Sequence, residues 1–327
     1  MNWRPIHTTV AIFFDRPKLA AIIALVLGGR VIAAQEHAAE DYTITATADY
    51  VLLDVSVTRA HGSFVSNLQR SNFTVLDDGR PVEIRDFITS DAPVALGLVV
   101  DNSGSMIPKR PDVIAAGLAF VRESNREDQF FIVNFNDSVV RGLPPETPFT
   151  DNLRLLHDAL YFGRPSGRTA LYDAIAYSLR HLKLSHLQRR TLIVVSDGRD
   201  NESKLRFPDL LSRVESSQAT IYTVGLYDPT ENFDRHALRK IAKITGGEFF
   251  EPKEISEVGP IFDRISQDIR HRYTLGFVPD EITDKKQVRT IKVIVKGVEP
   301  KINVLTRTQY STAPLGPVAH DAEGRLQ

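Results

Sequence analysis

Between about residues 93 and 270, short apolar segments alternate with segments of helical periodicity, and this alternation constrains the fold more than any other feature. The apolar segments are Val94–Val100, Gln129–Asn134, Thr191–Ser196 and Thr220–Leu226. Helices are predicted between them at Pro111–Glu123, Ala170–Leu182, Pro208–Ser217 and Phe233–Thr245, and a last amphipathic helix is predicted at Ile255–Ile269. Strands that alternate with helices form a mostly parallel sheet covered on both faces. The sequence therefore predicts a doubly wound α/β domain at residues 91–271.

Both flanks of this region carry strand patterns instead. From Tyr42 to Ile88, apolar and polar residues alternate between Gly-containing turns, and further strands are predicted at Tyr273–Val278, Thr290–Val295 and Asn303–Thr308. Each flank alone is too short for a sheet with its own core, since isolated hairpins are marginal in water. We therefore expect residues 42–90 and 272–310 to pair in one small β-rich domain, into which the α/β domain is inserted.

The two chain ends differ in composition from the rest. Basic residues precede the apolar run Leu19–Leu27, and the small residues Ala33 and Ala34 follow it. This is the order of a secretory signal, and the run is short for a membrane span. We expect residues 1–34 to direct export to the periplasm or the cell exterior, with an uncleaved membrane anchor as the alternative. The polar tail 311–327 is expected to be disordered.

Composition excludes several function classes. The chain has no cysteine, so disulfides, thiol nucleophiles, iron–sulfur clusters and thiolate zinc sites are absent. It has 40 Lys and Arg residues against 41 Asp and Glu residues, a formal net charge of −1. A protein without excess positive charge lacks the usual electrostatic footprint of nucleic-acid binding. We therefore expect no nucleic-acid partner, and membrane contact only if the N-terminal segment is retained.

Oxygen-bearing side chains follow the predicted strands of the α/β region. Asp101, Ser103 and Ser105 come directly after the first strand, Thr169 opens a helix, and Asp197 ends a third segment. In open α/β sheets, ligands bind in the crevice beyond the carboxyl ends of the strands. Oxygen ligands with few carboxylates are typical of Mg²⁺, which keeps positions for water or an incoming anion. We predict a Mg²⁺ site at these five residues, with Mn²⁺ or Ca²⁺ as alternatives.

Other polar residues nearby have simpler interpretations. Asp173 lies four residues after Thr169, and is either a supporting group that accepts hydrogen bonds from loop donors or an acidic residue favoured in a first helical turn. Asp200-Asn201-Glu202 is interpreted as a solvated acidic loop rather than a second ion site. His181 and His186, beside Arg189 and Arg190, are expected on a solvated basic face.

The motifs Asp-Asn-Ser-Gly-Ser, Gly-Arg-Thr-Ala-Leu-Tyr-Asp-Ala and Ser-Asp-Gly, in this order, resemble the metal-ion-dependent adhesion site of von Willebrand factor A domains. Leu-Asp-Val-Ser-Val-Thr, Asn-Phe-Thr-Val-Leu-Asp-Asp-Gly and Tyr-Thr-Leu-Gly-Phe are similar to segments of bacterial exported VWFA-related proteins, so the resemblance covers about residues 42–310. It implies that Ser103 and Ser105 bind the metal directly, and Thr169 directly or through water. Asp101 and Asp197 would hold metal-bound waters or bind the ion.

The resemblance implies an adhesion or protein-interaction module, in which Mg²⁺ captures an Asp or Glu carboxylate of a protein partner. The alternative is a metal-dependent hydrolase that uses Ser103, Ser105 or a metal-bound water. The three loops contain no histidine to act as a general base, and they lack the paired carboxylates of two-metal phosphoryl-transfer sites. The sequence therefore favours binding, and we do not expect an enzyme.

Overall fold

The computed structural model of the chain describes residues 50–89, 92–197, 200–227, 235–280, 288–298 and 301–312. The predicted export segment at 1–34, the start of the N-terminal β segment at 42–49 and the tail from residue 313 lie outside these residues. Within the described ranges, no helix is both long and apolar enough to cross a membrane.

Fourteen strands and six α-helices lie within the described residues. The strands are β1 (Val51–Arg59), β2 (Phe73–Asp77), β3 (Arg80–Val82), β4 (Asp86–Ile88), β5 (Val94–Asp101), β6 (Gln129–Phe135), β7 (Val139–Arg141), β8 (Arg189–Ser196), β9 (Thr220–Gly225), β10 (Phe249–Phe250), β11 (Tyr273–Phe277), β12 (Val288–Val295), β13 (Ile302–Leu305) and β14 (Gln309–Ser311). The helices are α1 (Arg110–Glu123), α2 (Leu153–Tyr161), α3 (Leu171–Leu182), α4 (Phe207–Ser216), α5 (His236–Thr245) and α6 (Val258–Arg270).

The α/β part is built on a six-stranded sheet in the order β10-β9-β8-β5-β6-β7. All neighbours run parallel except β7, which is antiparallel to β6. Strand β5 lies inside the sheet and is buried along its whole length, which its unbroken apolar sequence requires. The predicted parallel-rich α/β fold is confirmed. Because Val100 pairs with Val195, the carboxyl ends of β5 and β8 meet at one edge.

A second, smaller core is formed by strands from both sides of the α/β region. Strand β1 pairs with β11 and β13, and β11 also pairs with β4. Strand β12 pairs with β2 and β14, and β2 also pairs with β3. Alternate residues such as Leu53, Val55 and Leu275 are fully buried in this core. The domain boundaries at 91 and 271 stay a prediction, which expression of residues 91–271 alone would test.

Helix α6 runs into β11 through a buried polar junction. Arg272 forms an ion pair with Asp268 at 2.6 Å, and Tyr222 donates a hydrogen bond to the same carboxylate at 2.5 Å. The guanidinium of Arg272 also donates to the main-chain oxygens of Gly246 and Asp54. Burial alone would raise the pKa of Asp268, but the charge of Arg272 and its hydrogen bonds hold that pKa below its usual value. This junction joins α6 and β9 to strand β1.

The predicted helices are present with shifted ends, and several elements were not predicted. The stripe predicted from Ile255 to Ile269 begins as a 3-10 turn at Ile255–Glu257 and continues as α6, whose Phe262, Ile265 and Ile269 are buried. The structure adds β7, β10 and α2. Residue 311, expected in the disordered tail, belongs to β14.

The expectation that His181 lies on a solvated face is wrong. Its side chain is 3% exposed and packs against the rings of Phe131 and Phe149. Its Nε2 lies 2.6 Å from the carbonyl oxygen of Pro148, to which it donates. Burial lowers the pKa of His181. The sequence signal missed here was the apolar face of α3, on which His181 occupies a buried position.

Candidate metal centre

The carboxylate of Asp101 lies at the edge of the sheet where β5 and β8 end side by side. Its Oδ2 accepts a hydrogen bond from the hydroxyl of Ser196 at 2.6 Å, and its Oδ1 accepts one from the main-chain N–H of Ser103 at 2.8 Å. The residue is fully buried. Both bonds follow from local structure, because Ser196 ends the neighbouring parallel strand and the chain turns sharply after Asp101.

The two serine hydroxyls of the first loop are brought together with Asp197. The Oγ atoms of Ser103 and Ser105 are 3.2 Å apart, and the hydroxyl of Ser105 donates to Oδ2 of Asp197. Ser103 precedes a 3-10 turn at Gly104–Met106, yet its side chain makes no capping bond to that turn. Its hydroxyl therefore lies with the other oxygen groups rather than serving the helix end. Asp101, Ser103, Ser105 and Asp197 thus form one connected cluster.

Thr169 reaches the same edge on a loop that is bonded to the first. The main-chain N–H of Ser166 donates to the carbonyl of Asn102 at 2.9 Å, and that of Gly104 donates to the carbonyl of Gly167 at 3.3 Å. Gly167 has φ +77°, and a Cβ there would clash with the carboxylate of Asp137, so the turn requires glycine. The structure therefore places Thr169, which is buried, beside the Asp101–Ser105 loop.

Asn201 holds Thr169 in place, and no sequence pattern predicted this role. Its Oδ1 accepts a hydrogen bond from the N–H of Thr169 at 2.9 Å, and its own N–H donates to the carbonyl of Thr169 at 3.1 Å. The segment expected to be a solvated acidic loop is therefore a support for the site. Its neighbour Glu202 pairs with the exposed Arg168 at 2.9 Å.

Asp173 does accept hydrogen bonds from loop donors. Its two carboxylate oxygens accept from the N–H groups of Lys204 and Leu205 at 2.9 and 3.0 Å. Asp200 acts in the same way on the other side, because it accepts from the N–H of Tyr172 and the hydroxyl of Ser203. These carboxylates fasten the loop that carries Asn201 to the first turn of α3, and Asp173 makes its bonds there rather than to the five predicted ligands.

The electrostatics of this cluster suit a cation. Burial raises the pKa of Asp101 to about 6, and the charge of Asp197 adds to this, while hydrogen bonds from Ser196 and Ser103 oppose it. A buried carboxylate is expected to be paired with a positive charge or a metal. The described groups that bond to Asp101 are the hydroxyls of Ser196 and Ser103 and the main-chain amide of Ser103, all of them neutral. A divalent cation would supply the missing charge, so the residues present fit the predicted ion.

The donor set also indicates which kind of cation fits. In the described part of the chain, no three or more His, Cys, Asp or Glu side chains gather as a metal-binding group. The cluster at Asp101 instead combines two carboxylates with hydroxyl groups. Such a set suits a hard cation that keeps water or an exchangeable anion in part of its coordination sphere.

An exposed apolar rim lies beside the cluster and was not identified from the sequence. Ile107, Tyr161 and Phe162 are 57%, 52% and 54% exposed, which are three of the four highest values among the large hydrophobic residues described. Arg110 joins the two segments, since its guanidinium donates to the carbonyls of Leu160 and Phe162 at 2.9 and 3.2 Å. We call these three side chains the apolar rim. They lie on two segments that Arg110 bonds together and that adjoin the loops of the cluster.

Comparison with known proteins agrees with the fold and the motifs. Residues 96–199 match the family model of the von Willebrand factor type A domain. No curated protein matches the sequence significantly. Among solved structures, a von Willebrand factor type A protein from Catenulispora acidiphila is 14% identical with a TM-score of 0.49, and covers 76% of each chain. The von Willebrand domain of the pilus tip protein Mfa5 from Porphyromonas gingivalis is 15% identical with a TM-score of 0.43, over 56% of this chain and 96% of that one. These likenesses are weak, so the assignment rests on the sequence match.

The fold and the matched residues define the class of this part of the protein. The residues that match the family model include β6, β7, β8 and most of β5 in the parallel-rich sheet, together with the hydroxyl and carboxylate groups that follow β5 and β8. The chain therefore contains a von Willebrand factor type A domain, a kind of domain that commonly mediates adhesion and protein–protein interaction.

Proposed function

We propose that this protein is an exported interaction module whose von Willebrand factor type A domain holds Mg²⁺ and captures an acidic side chain of a protein partner. The observation that carries the proposal is the buried carboxylate of Asp101, bonded only to neutral groups among the described residues and joined to the oxygen cluster of Ser103, Ser105 and Asp197. A buried charge in such surroundings is most stable with a cation beside it.

Each oxygen of the site has a role in this proposal. Ser103 and Ser105 bind the ion through their hydroxyls, and Thr169 binds it directly or through water. Asp101 and Asp197 hold the ion electrostatically, directly or through its waters. When bound, the ion offers a coordination position to an incoming carboxylate. Mn²⁺ or Ca²⁺ could take the same place, since the oxygen donor set suits all three.

The apolar rim supports a protein as the partner. Clustered exposed hydrophobic residues mark protein-interaction surfaces more often than isolated ones do. Ile107 follows Ser105 by two residues, and Phe162 adjoins the loop that is bonded to Asn102 and Gly104. A partner that presents a carboxylate to the metal would bring its neighbouring residues onto this rim.

Hydrogen bonding at the serines supports binding over hydrolysis. Among the described residues, the side chains of Ser103 and Ser105 bond to each other and to the carboxylates of Asp101 and Asp197. A serine nucleophile needs a base within hydrogen-bond reach, and histidine is the usual one. Bound to a cation, both hydroxyls would serve as ligands.

The export part of the proposal rests on the sequence of residues 1–34. The basic start, the apolar run and the small residues at Ala33 and Ala34 have the order of a secretory signal. Mass spectrometry of the mature N-terminus would test it. A first residue at Gln35 supports cleavage, and an intact Met1 in the membrane fraction supports the anchor.

The function is tested by two measurements on the same protein. Calorimetry should show saturable Mg²⁺ binding to the wild type that Asp101→Ala abolishes. Immobilised wild type should then retain envelope proteins of the producing cell in Mg²⁺ and release them in chelator, while the Asp101→Ala column retains none of these. Retention that ignores both chelator and the substitution would contradict carboxylate capture. Turnover of phosphate or ester substrates that Ser103→Ala abolishes would instead favour the hydrolase.

A further inference from the structure

A cavity of about 390 Å³ lies far from the candidate metal centre, between the ends of α3 and α4 and the start of β8. Lys183, Arg190, Leu179, Leu182 and Tyr50 are among its lining residues. Arg190 is the second residue of β8, whereas Asp197 follows the last. A strand rises about 3.3 Å per residue, so the cavity and the metal centre are separated by roughly 20 Å.

Four cations gather at this cavity without acidic partners. Lys183 and Arg190 line it. The charge of Arg180 acts on Lys183, and the charge of Arg213 acts on Arg180. Across the described residues, none of these four side chains has a carboxylate within ion-pair distance. Other cations of the chain do, as Arg270 does with Asp128 and Arg189 with Asp54. We call Arg180, Lys183, Arg190 and Arg213 the cationic cluster.

The donors of the cluster are poorly satisfied. The Nε of Arg190 is buried without a hydrogen-bond partner, and its terminal nitrogen has one long contact, 3.4 Å, to the carbonyl of Ser185. The Nε of Arg180 is likewise buried and unpartnered. A buried donor without an acceptor costs free energy, which an incoming acceptor would recover.

Repulsion among the cations of the cluster also favours the binding of an anion. Partial burial of its side chain lowers the pKa of Lys183, and the charges of Arg190 and Arg180 lower it further. Burial and the charge of Arg213 lower the pKa of Arg180, while Tyr177 and then Asp173 oppose this. Asp173 is itself bonded to the N–H groups of Lys204 and Leu205. The cluster therefore holds four positive charges, and no described carboxylate lies within ion-pair distance of them.

We propose that the cationic cluster and its cavity form a binding site for a phosphate-bearing ligand, independent of the metal centre. Arginine presents a planar fork of donors that matches phosphate oxygens, and lysine adds a compact charge with three donors. The apolar wall of Leu179 and Leu182 has room for a non-polar part of the ligand. The phosphate belongs to a soluble molecule or to a lipid headgroup, and the experiment below separates the two.

Inorganic pyrophosphate is the first probe, titrated by calorimetry into the mature chain. Chelator is present so that no metal bridges the anion to Asp101, and ionic strength is held constant. The test variant is Lys183→Gln with Arg190→Gln. Its matched control is Arg122→Gln with Lys292→Gln, which removes the same charge from exposed sites elsewhere. We expect saturable binding that the test variant weakens by about tenfold or more and the control leaves within about twofold.

The single variant Lys183→Gln keeps the test valid if the loss of Arg190 impairs folding, because Lys183 is exposed. Vesicles of phosphatidylglycerol and of phosphatidylcholine form the second arm, measured by co-sedimentation. Saturable pyrophosphate binding identifies a soluble ligand. Binding only to the anionic vesicles, lost in the test variant, identifies a headgroup. The proposal is overturned if neither probe binds, or if the control variant loses as much binding as the test variant.

Discussion

Asn201 bonds to both main-chain polar groups of Thr169, accepting from its N–H at 2.9 Å and donating to its carbonyl at 3.1 Å. The two residues lie on different loops and are 32 positions apart. This pair of bonds fixes the main chain of Thr169, the one predicted ligand that lies neither in nor directly after β5 or β8. The position of Thr169 therefore depends on a residue that is not itself a predicted ligand.

We expect Asn201→Ala to weaken Mg²⁺ binding by about three- to tenfold while the domain stays folded. The substitution removes one side-chain acceptor, worth about 1 kcal/mol, and leaves the N–H of Thr169 without its partner. Calorimetric titration of Mg²⁺ gives the affinity, and circular dichroism checks the fold. Asn303→Ala, at an exposed position of β13, is the control and should bind Mg²⁺ like the wild type. Equal affinities for all three proteins would show that Thr169 needs no such support.

The second prediction concerns the charge of Asp101. Asp101→Asn keeps the shape of the residue and removes a buried charge close to Asp197. Without metal, we expect this variant to be at least as stable as the wild type, because the desolvation penalty is relieved. With Mg²⁺, we expect the wild type to gain melting temperature and the variant to gain none, since only a protein that binds the ion is stabilised by it.

Differential scanning calorimetry in chelator and in Mg²⁺ provides both comparisons. Asp209→Asn, at an exposed position of α4 whose carboxylate pairs with Arg206, is the control and should keep the full Mg²⁺ effect. A normal Mg²⁺-induced shift in Asp101→Asn would remove Asp101 from the site. A large loss of stability in chelator would mean that the carboxylate serves the fold rather than the ion.

The fold was largely predictable because its core strands are long apolar runs. The segments predicted as strands at Val94–Val100 and Thr191–Ser196 are β5 and β8, whose residues are almost all buried. The weaker elements were missed for a physical reason. Strands β7 and β10 have three and two residues, and they are defined by pairing with a neighbour rather than by their own pattern.

Some residues of the candidate site were predictable from the sequence and others were not. Asp101, Ser103, Ser105 and Asp197 were predicted because their positions follow from where the apolar strands end. Asn201 was not predicted, because its partner Thr169 is set by the path of a loop, which leaves no periodicity in the sequence. The apolar rim was also missed, since exposed and buried aromatic residues look alike in a sequence.

The third prediction tests the apolar rim. We expect Ile107→Ser combined with Phe162→Ser to reduce chelator-sensitive retention of envelope proteins by at least about tenfold, because well-placed interface residues commonly contribute more than 1 kcal/mol each. The Mg²⁺ affinity of the variant should stay unchanged, since neither side chain belongs to the oxygen cluster. Leu184→Ser, which changes a side chain of similar exposure far from the rim, is the control. Undiminished retention would show that the partner contacts the metal without the rim.

The fourth prediction concerns the buried pair of Arg272 and Asp268. Arg272→Met leaves Asp268 buried without its cation and also removes the bond to the carbonyl of Gly246. We expect a loss of about 3–5 kcal/mol in the free energy of unfolding, measured with urea. Adding Asp268→Asn should recover part of it, because the unpaired charge is then gone.

The exposed pair of Arg206 and Asp209 is the control for this measurement, and Arg206→Ala should cost less than about 1 kcal/mol. If Arg272→Met costs no more than Arg206→Ala, the junction between α6 and β1 is not held by this ion pair. A double variant less stable than Arg272→Met alone would show that Asp268 has a favourable role beyond its pairing with Arg272.

The last prediction is a pH dependence that arises from His181. Burial lowers its pKa in the folded protein, and the charge of Arg141 adds to this, while the hydrogen bond to Pro148 opposes it. An unfolded histidine has a pKa of about 6.5, so below that pH the unfolded chain binds a proton that the folded chain does not. The contribution of His181 to the free energy of unfolding is therefore fully present above about pH 6.5. It falls as the pH decreases toward the folded pKa, by up to about 1.4 kcal/mol per pH unit.

Urea unfolding at several pH values between 7.5 and 5, in chelator, would measure this slope; those limits bracket roughly the unfolded histidine pKa. His181→Gln keeps a donor for Pro148 but does not titrate, so its free energy of unfolding should fall less steeply than that of the wild type. His157→Gln removes a histidine whose side chain is 52% exposed, and it should retain the wild-type slope. Because slopes are compared, a constant loss of stability in either variant does not affect the result. Parallel curves for the wild type and His181→Gln would mean that His181 can be protonated inside the fold at little cost.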